Sequence, residues 1–219
     1  RMLQMFQFTI WQKPFEECGF TSLLDGVMEV RKNLMLCAEL LELLQYNFGR
    51  IDFIDERVEV GFDCPLDLHC DYTRDQILVA LDFLKPSTVR EGVKYLPDQK
   101  IDIAFVTLNK SDKDYSPSTM YQDYSVGEEF FHWQSQSTTS ENSPTGQRYI
   151  HHREKGTLFL LFVRENKTDR VSGGAGVYTF LGKANYVQHE GSRPMSILWK
   201  LERPIPVRLQ KKTNELVGG

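Results

Sequence analysis

Between Thr21 and Tyr46, apolar residues fall at Leu24, Val27, Met28, Val30, Leu34, Met35, Ala38, Leu41 and Leu44. This three-to-four spacing lays one stripe along a helical face. It predicts a long amphipathic helix, either continuous or broken once. Ser22 and Asp25 form a capping pair at its start, and Gly49 supplies a stop. The next stretch, Ile51 to Val60, fits a short helix or a strand equally well. A further helix is predicted from Tyr72 to Leu84, with Thr73 and Gln76 at capping-box spacing and Pro86 beyond its end.

Past Val89 the pattern changes to short β-rich runs: Val93–Leu96, Ile101–Leu108, Glu129–Gln136, Leu158–Arg164, Val177–Leu181, Tyr186–Glu190 and Ile197–Leu201. Turn chemistry separates them, as in Leu96-Pro97-Asp98-Gln99 and Glu141-Asn142-Ser143-Pro144-Thr145-Gly146. Strands this closely spaced predict a barrel or barrel-like sheet. The expected organisation is α+β, with a helical segment over residues 1–70 followed by a β-rich domain over 71–219. The glycine-rich run Ser172-Gly173-Gly174-Ala175-Gly176 precedes a strand rather than a helix, so it reads as a hairpin and not as a phosphate cradle.

The chain has 219 residues, 41% of them hydrophobic and 12% aromatic. That composition excludes a disordered chain and allows one large domain or two small ones. The longest apolar runs, such as Leu158 to Val163, fall far short of the roughly 18 to 20 residues of a membrane helix, so no membrane partner is expected. Cys18, Cys37, Cys64 and Cys70 all lie in the first third, and the N-terminus lacks a signal pattern. A secreted disulfide scaffold is therefore disfavoured and a cytoplasmic location expected. A chain that opens on Arg and closes on Val-Gly-Gly is expected to be a piece of a longer protein. Charge is uneven: residues 148–219 carry 13 basic and 6 acidic side chains although the whole chain has a net charge of −4. A basic stripe on an acidic protein suits an anionic partner, or is simply a solvated face.

The five histidines, His69, His132, His151, His152 and His189, fall in no metal-binding spacing, and neither a nucleophile elbow nor a Walker loop is present. Cys64, His69 and Cys70 match no common zinc arrangement. No catalytic residues, metal or cofactor are therefore expected within this chain. The densest informative segment runs from Met120 to Ser137. If Phe131 and Trp133 share one face of a strand, then His132, Gln134 and Gln136 share the other by the period of two. An amide and imidazole face beside aromatic rings can read a base edge and stack on it; equally, Phe131 and Trp133 can be core. The segment Arg148, Tyr149, His151, His152, Arg153 and Lys155 could follow a phosphate backbone or form a solvated hairpin.

Several blocks carry a family resemblance: Thr107-Leu108-Asn109-Lys110-Ser111, Phe131-His132-Trp133-Gln134-Ser135-Gln136, Leu161-Phe162-Val163-Arg164-Glu165, and Phe180-Leu181-Gly182-Lys183-Ala184-Asn185-Tyr186-Val187 through Gly191-Ser192-Arg193-Pro194 to Trp199. They resemble the C-terminal region of bacterial superfamily 2 helicase-like proteins. Among those proteins are the SauUSI-type type IV restriction enzymes, ATP-dependent nucleases that cut DNA carrying 5-methylcytosine or 5-hydroxymethylcytosine. The resemblance implies a helical coupling segment followed by a target-recognition domain with an SRA-like, PUA-like pseudo-barrel. It implies double-stranded DNA with a modified cytosine as partner, together with helicase and phospholipase-D-like nuclease domains of the same polypeptide. ATP and Mg would then serve the parent protein rather than this chain.

Extruding a base costs a few kcal/mol, which a pocket must return by stacking and by hydrogen bonds to the Watson–Crick edge. Cytosine offers an N4 donor and N3 and O2 acceptors, so such a pocket needs a carboxylate and amide or backbone donors. On this logic Asp123 is the acceptor, Tyr121, Tyr124 and Trp133 are stacking candidates, Gln134 and Ser135 are donors, and His132 is a base contact or a structural hydrogen bond. Lys110, Arg148, His151 and Arg153 are the phosphate-binding candidates. A second reading is a protein-docking or regulatory module of a helicase-nuclease without base specificity. A third makes the histidines a metal-dependent nuclease centre.

Overall fold

The computed structural model describes residues 1–51, 56–109, 123–169, 173–207 and 209–210. Its elements run α1 (Met2–Ile10), α2 (Leu23–Lys32), α3 (Leu34–Phe48), β1 (Asp71–Tyr72), α4 (Arg74–Ala80), β2 (Val93–Leu96), β3 (Ile101–Asn109), β4 (Tyr124–Val126), β5 (Phe130–Gln134), α5 (Pro144–Ile150), β6 (Leu158–Asn166), β7 (Tyr178–Glu190) and β8 (Ser196–Leu201). The chain is α+β, a helical N-terminal segment leading into a mixed eight-stranded sheet.

The apolar stripe from Thr21 onward folds as two helices broken once, at Asn33. This residue is extended (φ −98°, ψ 95°) and its side chain accepts from the Leu36 N–H to cap α3. Ser22 caps α2 as its spacing predicts, accepting from the Asp25 N–H. The nine-residue α1 has no counterpart among the elements read from the sequence. It lies against α4, held by the Arg1–Asp82 ion pair at 2.6 Å and by the Gln76 side-chain amide donating to the Thr9 hydroxyl at 2.8 Å.

The helix predicted from Tyr72 to Leu84 is shorter than expected. Thr73 and Gln76 form both bonds of the capping box, but Tyr72 precedes the cap and pairs with Tyr178 as part of β1, and Asp82 takes a positive φ of 63° just past the helix end. Ile77, Leu78, Val79, Ala80 and Leu81 are fully buried, which makes α4 the lid over one face of the sheet.

Strand order is β2-β3-β6-β7-β8-β5-β4, with β1 paired to β7. The β3–β6 pair is parallel and the others are antiparallel. The two runs predicted at Val177–Leu181 and Tyr186–Glu190 are one strand, β7, bent at Gly182. Gly182 has φ +91°, and a Cβ there would lie 2.8 Å from Leu68 Cδ1, so glycine is needed both for the backbone and for the space. Its first half pairs with β6 and its second half with β8. This bend curls the sheet around a second core on the face opposite α4.

That inner core is aromatic: Phe159 of β6 stacks on Trp199 of β8 at 3.9 Å, and Trp133 of β5 and Tyr149 of α5 pack against Phe159 at 5.3 and 5.6 Å. The outer core, beneath α4, holds Ile101, Ile103, Phe105, Leu160, Phe162 and Phe180. Alternate residues of β3 and β6 therefore serve two cores at once, which is why both strands are buried along most of their length, Asp102 of β3 included.

Candidate nucleic-acid interface

The period-two reading of β5 is correct: Phe131 and Trp133 are buried, while Phe130, His132 and Gln134 are half-buried on the other side. The outer row joins its neighbour strand, for Tyr124 pairs across from His132 and the two rings stack at 4.7 Å and 18°. Asp123 is buried, and its Oδ1 accepts from the Gln134 backbone N–H at 2.9 Å. The Gln134 amide donates to the Ser196 hydroxyl at 3.2 Å. Tyr124, His132 and Gln134 thus form one polar ledge on the outside of the β4–β5 ladder, with the buried Asp123 carboxylate tied to its end through the Gln134 N–H.

Two residues grouped with them from sequence point elsewhere. Trp133 is 4% exposed and packs on Tyr149, Phe159 and Trp199, so its ring has no free face to offer a base. Ser135 is fully buried, where its hydroxyl accepts from the Met195 N–H at 2.9 Å while its own N–H donates to the Met195 carbonyl. Both serve the inner core and its rim. Tyr121 and Lys110 lie outside the described residues.

The basic segment after Gly146 is neither a hairpin nor a free phosphate track. Its first residues, Arg148 to Ile150, end the short helix α5, which Ser143 caps and Pro144 begins and which packs Tyr149 into one end of the inner core; His151 to Gly156 follow as turns. Arg148 reaches inward and grips Asp102 of β3 through two bonds, Nε at 2.6 Å and a terminal amine at 2.8 Å, with its guanidinium 3.8 Å from the Tyr95 ring centre. Burial pushes the Asp102 carboxyl above its ordinary value, against the pull of the Arg148 guanidinium. Arg148 is therefore an internal partner and not a phosphate ligand, a correction the composition could not supply. His151 faces Glu154 at 3.1 Å, and Arg153 donates to the Asn185 side chain at 3.1 Å; both sit at the surface.

His152 is buried. Its Nδ1 donates to the Thr157 carbonyl at 3.3 Å and its Nε2 accepts from the Tyr186 N–H at 3.0 Å, which requires the neutral ring. Burial correspondingly pushes its pKa down. His189 lies between the Tyr186 hydroxyl at 2.7 Å and Glu141 at 3.3 Å. Cys64, the buried cysteine of the Cys64, His69 and Cys70 set, has its thiol pushed up to about 11 by burial. Among the described residues, no group of His, Cys, Asp and Glu is placed to hold a metal ion, and no helix is long and apolar enough to cross a membrane.

The end of the curled sheet away from α5 holds a cavity of about 270 Å³. It opens where β3 and β6 finish and β7 begins, and the Asn109 and Asn166 side chains, 3.2 Å apart, tie the two strand ends together there. Leu108, Val163, Leu181 and Leu209 give it an apolar floor. Asp71, Glu165 and Asp169 bring carboxylates to its rim, with Asn166, Thr168 and Thr179 beside them. Thr179 donates to Asp71 across the β1–β7 pair. Arg164 completes the wall, with its Nε on the Thr107 hydroxyl at 2.9 Å and its guanidinium over Tyr178.

None of the rim carboxylates was singled out from sequence. A signal existed: the inward rows Phe159-Leu161-Val163 and Leu181 run apolar and then end in Glu165 and Thr179, as expected where a core opens to water. The pairing of Asp71 with Thr179, which builds the rim, joins residues too far apart in sequence to read locally.

A comparison with curated proteins finds no match. A family model, described as a domain of unknown function (DUF3427), matches residues 66–212, which takes in α4, α5 and every strand and leaves out α1, α2 and α3. By that match over most of its length, the chain belongs to the DUF3427 family.

Proposed function

We propose that the chain is a DNA-binding module that recognises 5-methylcytosine or 5-hydroxymethylcytosine in duplex DNA, with the modified base extruded into the cavity at the open end of the sheet. As the sequence resemblance suggests, it would act as the target-recognition part of an ATP-dependent type IV restriction endonuclease. ATP and Mg would be used by the motor and nuclease of that larger protein, and this chain would itself be no enzyme.

The cavity carries the proposal. At about 270 Å³ it lies just below the roughly 300–1,000 Å³ of ordinary small-molecule sites, a size suited to one base rather than a whole nucleotide. Its chemistry suits cytosine: carboxylates of Glu165 and Asp169 can accept from the exocyclic N4, the Asn166 amide and the Thr168 hydroxyl can donate to O2 and N3, and the leucine and valine floor can receive a 5-methyl group. Cytosine and thymine differ at position 4 in donor and acceptor character, so a carboxylate there favours cytosine and disfavours thymine. The Tyr124–His132–Gln134 ledge, with the buried Asp123 at its end, offers similar polar groups on an outer surface and serves better as a contact to the flanking strand.

The test is fluorescence-anisotropy binding to matched duplexes with cytosine, 5-methylcytosine or 5-hydroxymethylcytosine at about 0.1 M salt, where non-specific phosphate binding is already weakened. Tighter binding to a modified duplex is expected, with the preference removed by Glu165→Gln combined with Asp169→Asn. Arg153→Ala should weaken binding to all duplexes alike and lower the salt slope by about 1. Equal binding to all three duplexes would overturn the reading and favour a docking module. A preference that survives the cavity variants but is lost in Asp123→Ala would move the pocket to the outer ledge.

A further inference from the structure

The helical pair α2–α3 presents an apolar surface out of proportion to anything else on the molecule. No residue of α3 is buried. Only Cys37 and Leu40 are half-covered, on the side where the Cys37 thiol donates to the Val30 carbonyl of α2 at 3.4 Å. Met35, Leu41, Leu43, Leu44, Tyr46 and Phe48 are each 55–78% exposed. Placed 100° apart along the helix, the polar residues Glu39, Glu42 and Gln45 gather on one arc, with Asn47 apart from them. The remaining, larger part of the circumference is apolar.

A helix apolar over most of its surface is one that belongs in a core. A large aromatic side chain buries about 150–250 Å² when fully covered, and a leucine less. Met35 and Tyr46 fall within the polar arc, so the apolar sweep proper is Leu34, Leu36, Leu41, Leu43, Leu44 and Phe48, each 39–80% exposed; together they offer on the order of 600 Å², the upper end of the roughly 300–600 Å² for the largest patch of an ordinary monomer. A standard stable interface takes about 800 Å² from each partner. An apolar centre of that size with a polar rim around it reaches this scale on each of two molecules.

We infer that α2 and α3 form a self-association surface, whose occupant is the same helical pair of a second copy of this chain. The charges at its edges are self-complementary. The polar arc of α3 is acidic, through Glu39 and Glu42, whereas the last turn of α2 is basic, through Arg31 and through Lys32, which also pairs with Glu29 at 2.6 Å. One surface thus carries both partners of a rim ion pair, as an interface with two-fold symmetry requires. The surface also lies outside the family match at 66–212, on an arm attached to the sheet domain through α1 and α4. Pairing two arms would bring two recognition domains onto one DNA and raise their joint affinity through effective concentration.

Sedimentation velocity of the 219-residue chain tests this. At about 10 µM the expected species is a dimer of about 51 kDa, twice the 25.5 kDa chain. Leu41→Glu with Leu44→Glu should raise the dissociation constant at least about a hundredfold, since unpaired carboxylates would have to be buried. Far-UV dichroism should hold, because both side chains are largely open in the monomer, at 59% and 62% exposed, while the melting temperature should lose its dependence on protein concentration. Glu39→Lys with Glu42→Lys should weaken the dimer less and be partly rescued by Arg31→Glu with Lys32→Glu. A chain that stays monomeric at about 100 µM would overturn the inference and assign the patch to another polypeptide segment. A dimer unaffected by Leu41→Glu with Leu44→Glu would overturn it as well, by placing the contact elsewhere.

Discussion

Arg148→Ala separates a structural role for this residue from a DNA-binding one. The Arg148 side chain is 17% exposed and that of Asp102 is 7% exposed, and two bonds of 2.6 and 2.8 Å join them. Removing the guanidinium leaves a carboxylate on the inner face of β3 with neither water nor a partner, a change that costs about 3–5 kcal/mol. Lost contact with Tyr95 adds to this. For a domain of this size each kcal/mol moves the melting temperature by about 2–4 °C, so the variant should melt about 6–20 °C lower. Urea denaturation of the wild type, Arg148→Ala, and the double variant Arg148→Met with Asp102→Leu measures the effect. The double variant should regain most of the loss, because replacing both buried charges by apolar groups of similar volume is often close to neutral. At a temperature where Arg148→Ala is folded, its DNA affinity and salt slope should match the wild type. A stability loss below about 1 kcal/mol, together with uniformly weaker DNA binding and a salt slope lower by about 1, would refute the assignment and return Arg148 to the phosphate contacts.

His152 predicts a pH dependence. Its pKa is pushed down by burial, so the unfolded chain binds its proton more readily than the folded one. The stability it contributes is complete above the unfolded value of about 6.5 and declines as the pH falls from there toward the lowered folded value. Urea midpoints at pH 7.5 and 5.5 should differ more in the wild type than in His152→Gln, and an equal drop in both would sink this account. Gly146→Ala probes how α5 is seated. A Cβ at Gly146 would lie 2.1 Å from the Ser140 carbonyl oxygen, a backbone atom that cannot swing aside, and the displacement should cost about 1–3 kcal/mol. A melting temperature within 1 °C of the wild type would show that α5 tolerates displacement.

Features set by local periodicity were legible in the sequence. The alternation at Phe131 and Trp133, the Thr73–Gln76 capping box and the strands Val93–Leu96 and Ile197–Leu201 all stand where the pattern puts them, the last gaining Ser196 at its start. Features that depend on distant partners were not. The Ser143-Pro144-Thr145-Gly146 run has turn chemistry, yet it starts α5, because Ser143 caps the turn and Arg148 finds Asp102, 46 residues away. The same holds for β7. The gap between its two predicted halves is a bend at Gly182, where both a positive φ and the closeness of Leu68, from far upstream, require glycine. The ledge of Tyr124, His132 and Gln134 could be assembled from sequence because its members sit on two adjoining strands. The rim of Asp71, Glu165 and Thr179 could not, since three separate segments meet there.

Charge shows most clearly why composition alone misleads. The excess of basic residues in the last third suggested a cationic stripe, but many of those side chains have internal work. Arg148 holds Asp102, Lys183 pairs with Glu202, Lys200 with Glu129, and Arg203 with Glu56, while Arg164 braces Thr107 and Tyr178. Acidic side chains, three of these four drawn from the first two thirds, thus neutralise part of the basic third in space. The cationic surface open to a phosphate backbone is correspondingly smaller than a count of 13 basic residues implies. If the chain reads DNA as proposed, cations already paired within the fold contribute less to non-specific phosphate contacts, and discrimination would come from a shaped cavity. Pairing two such modules through α2 and α3 would then compensate for the weak electrostatic term, so the proposed dimer and the proposed base pocket support the same mode of action.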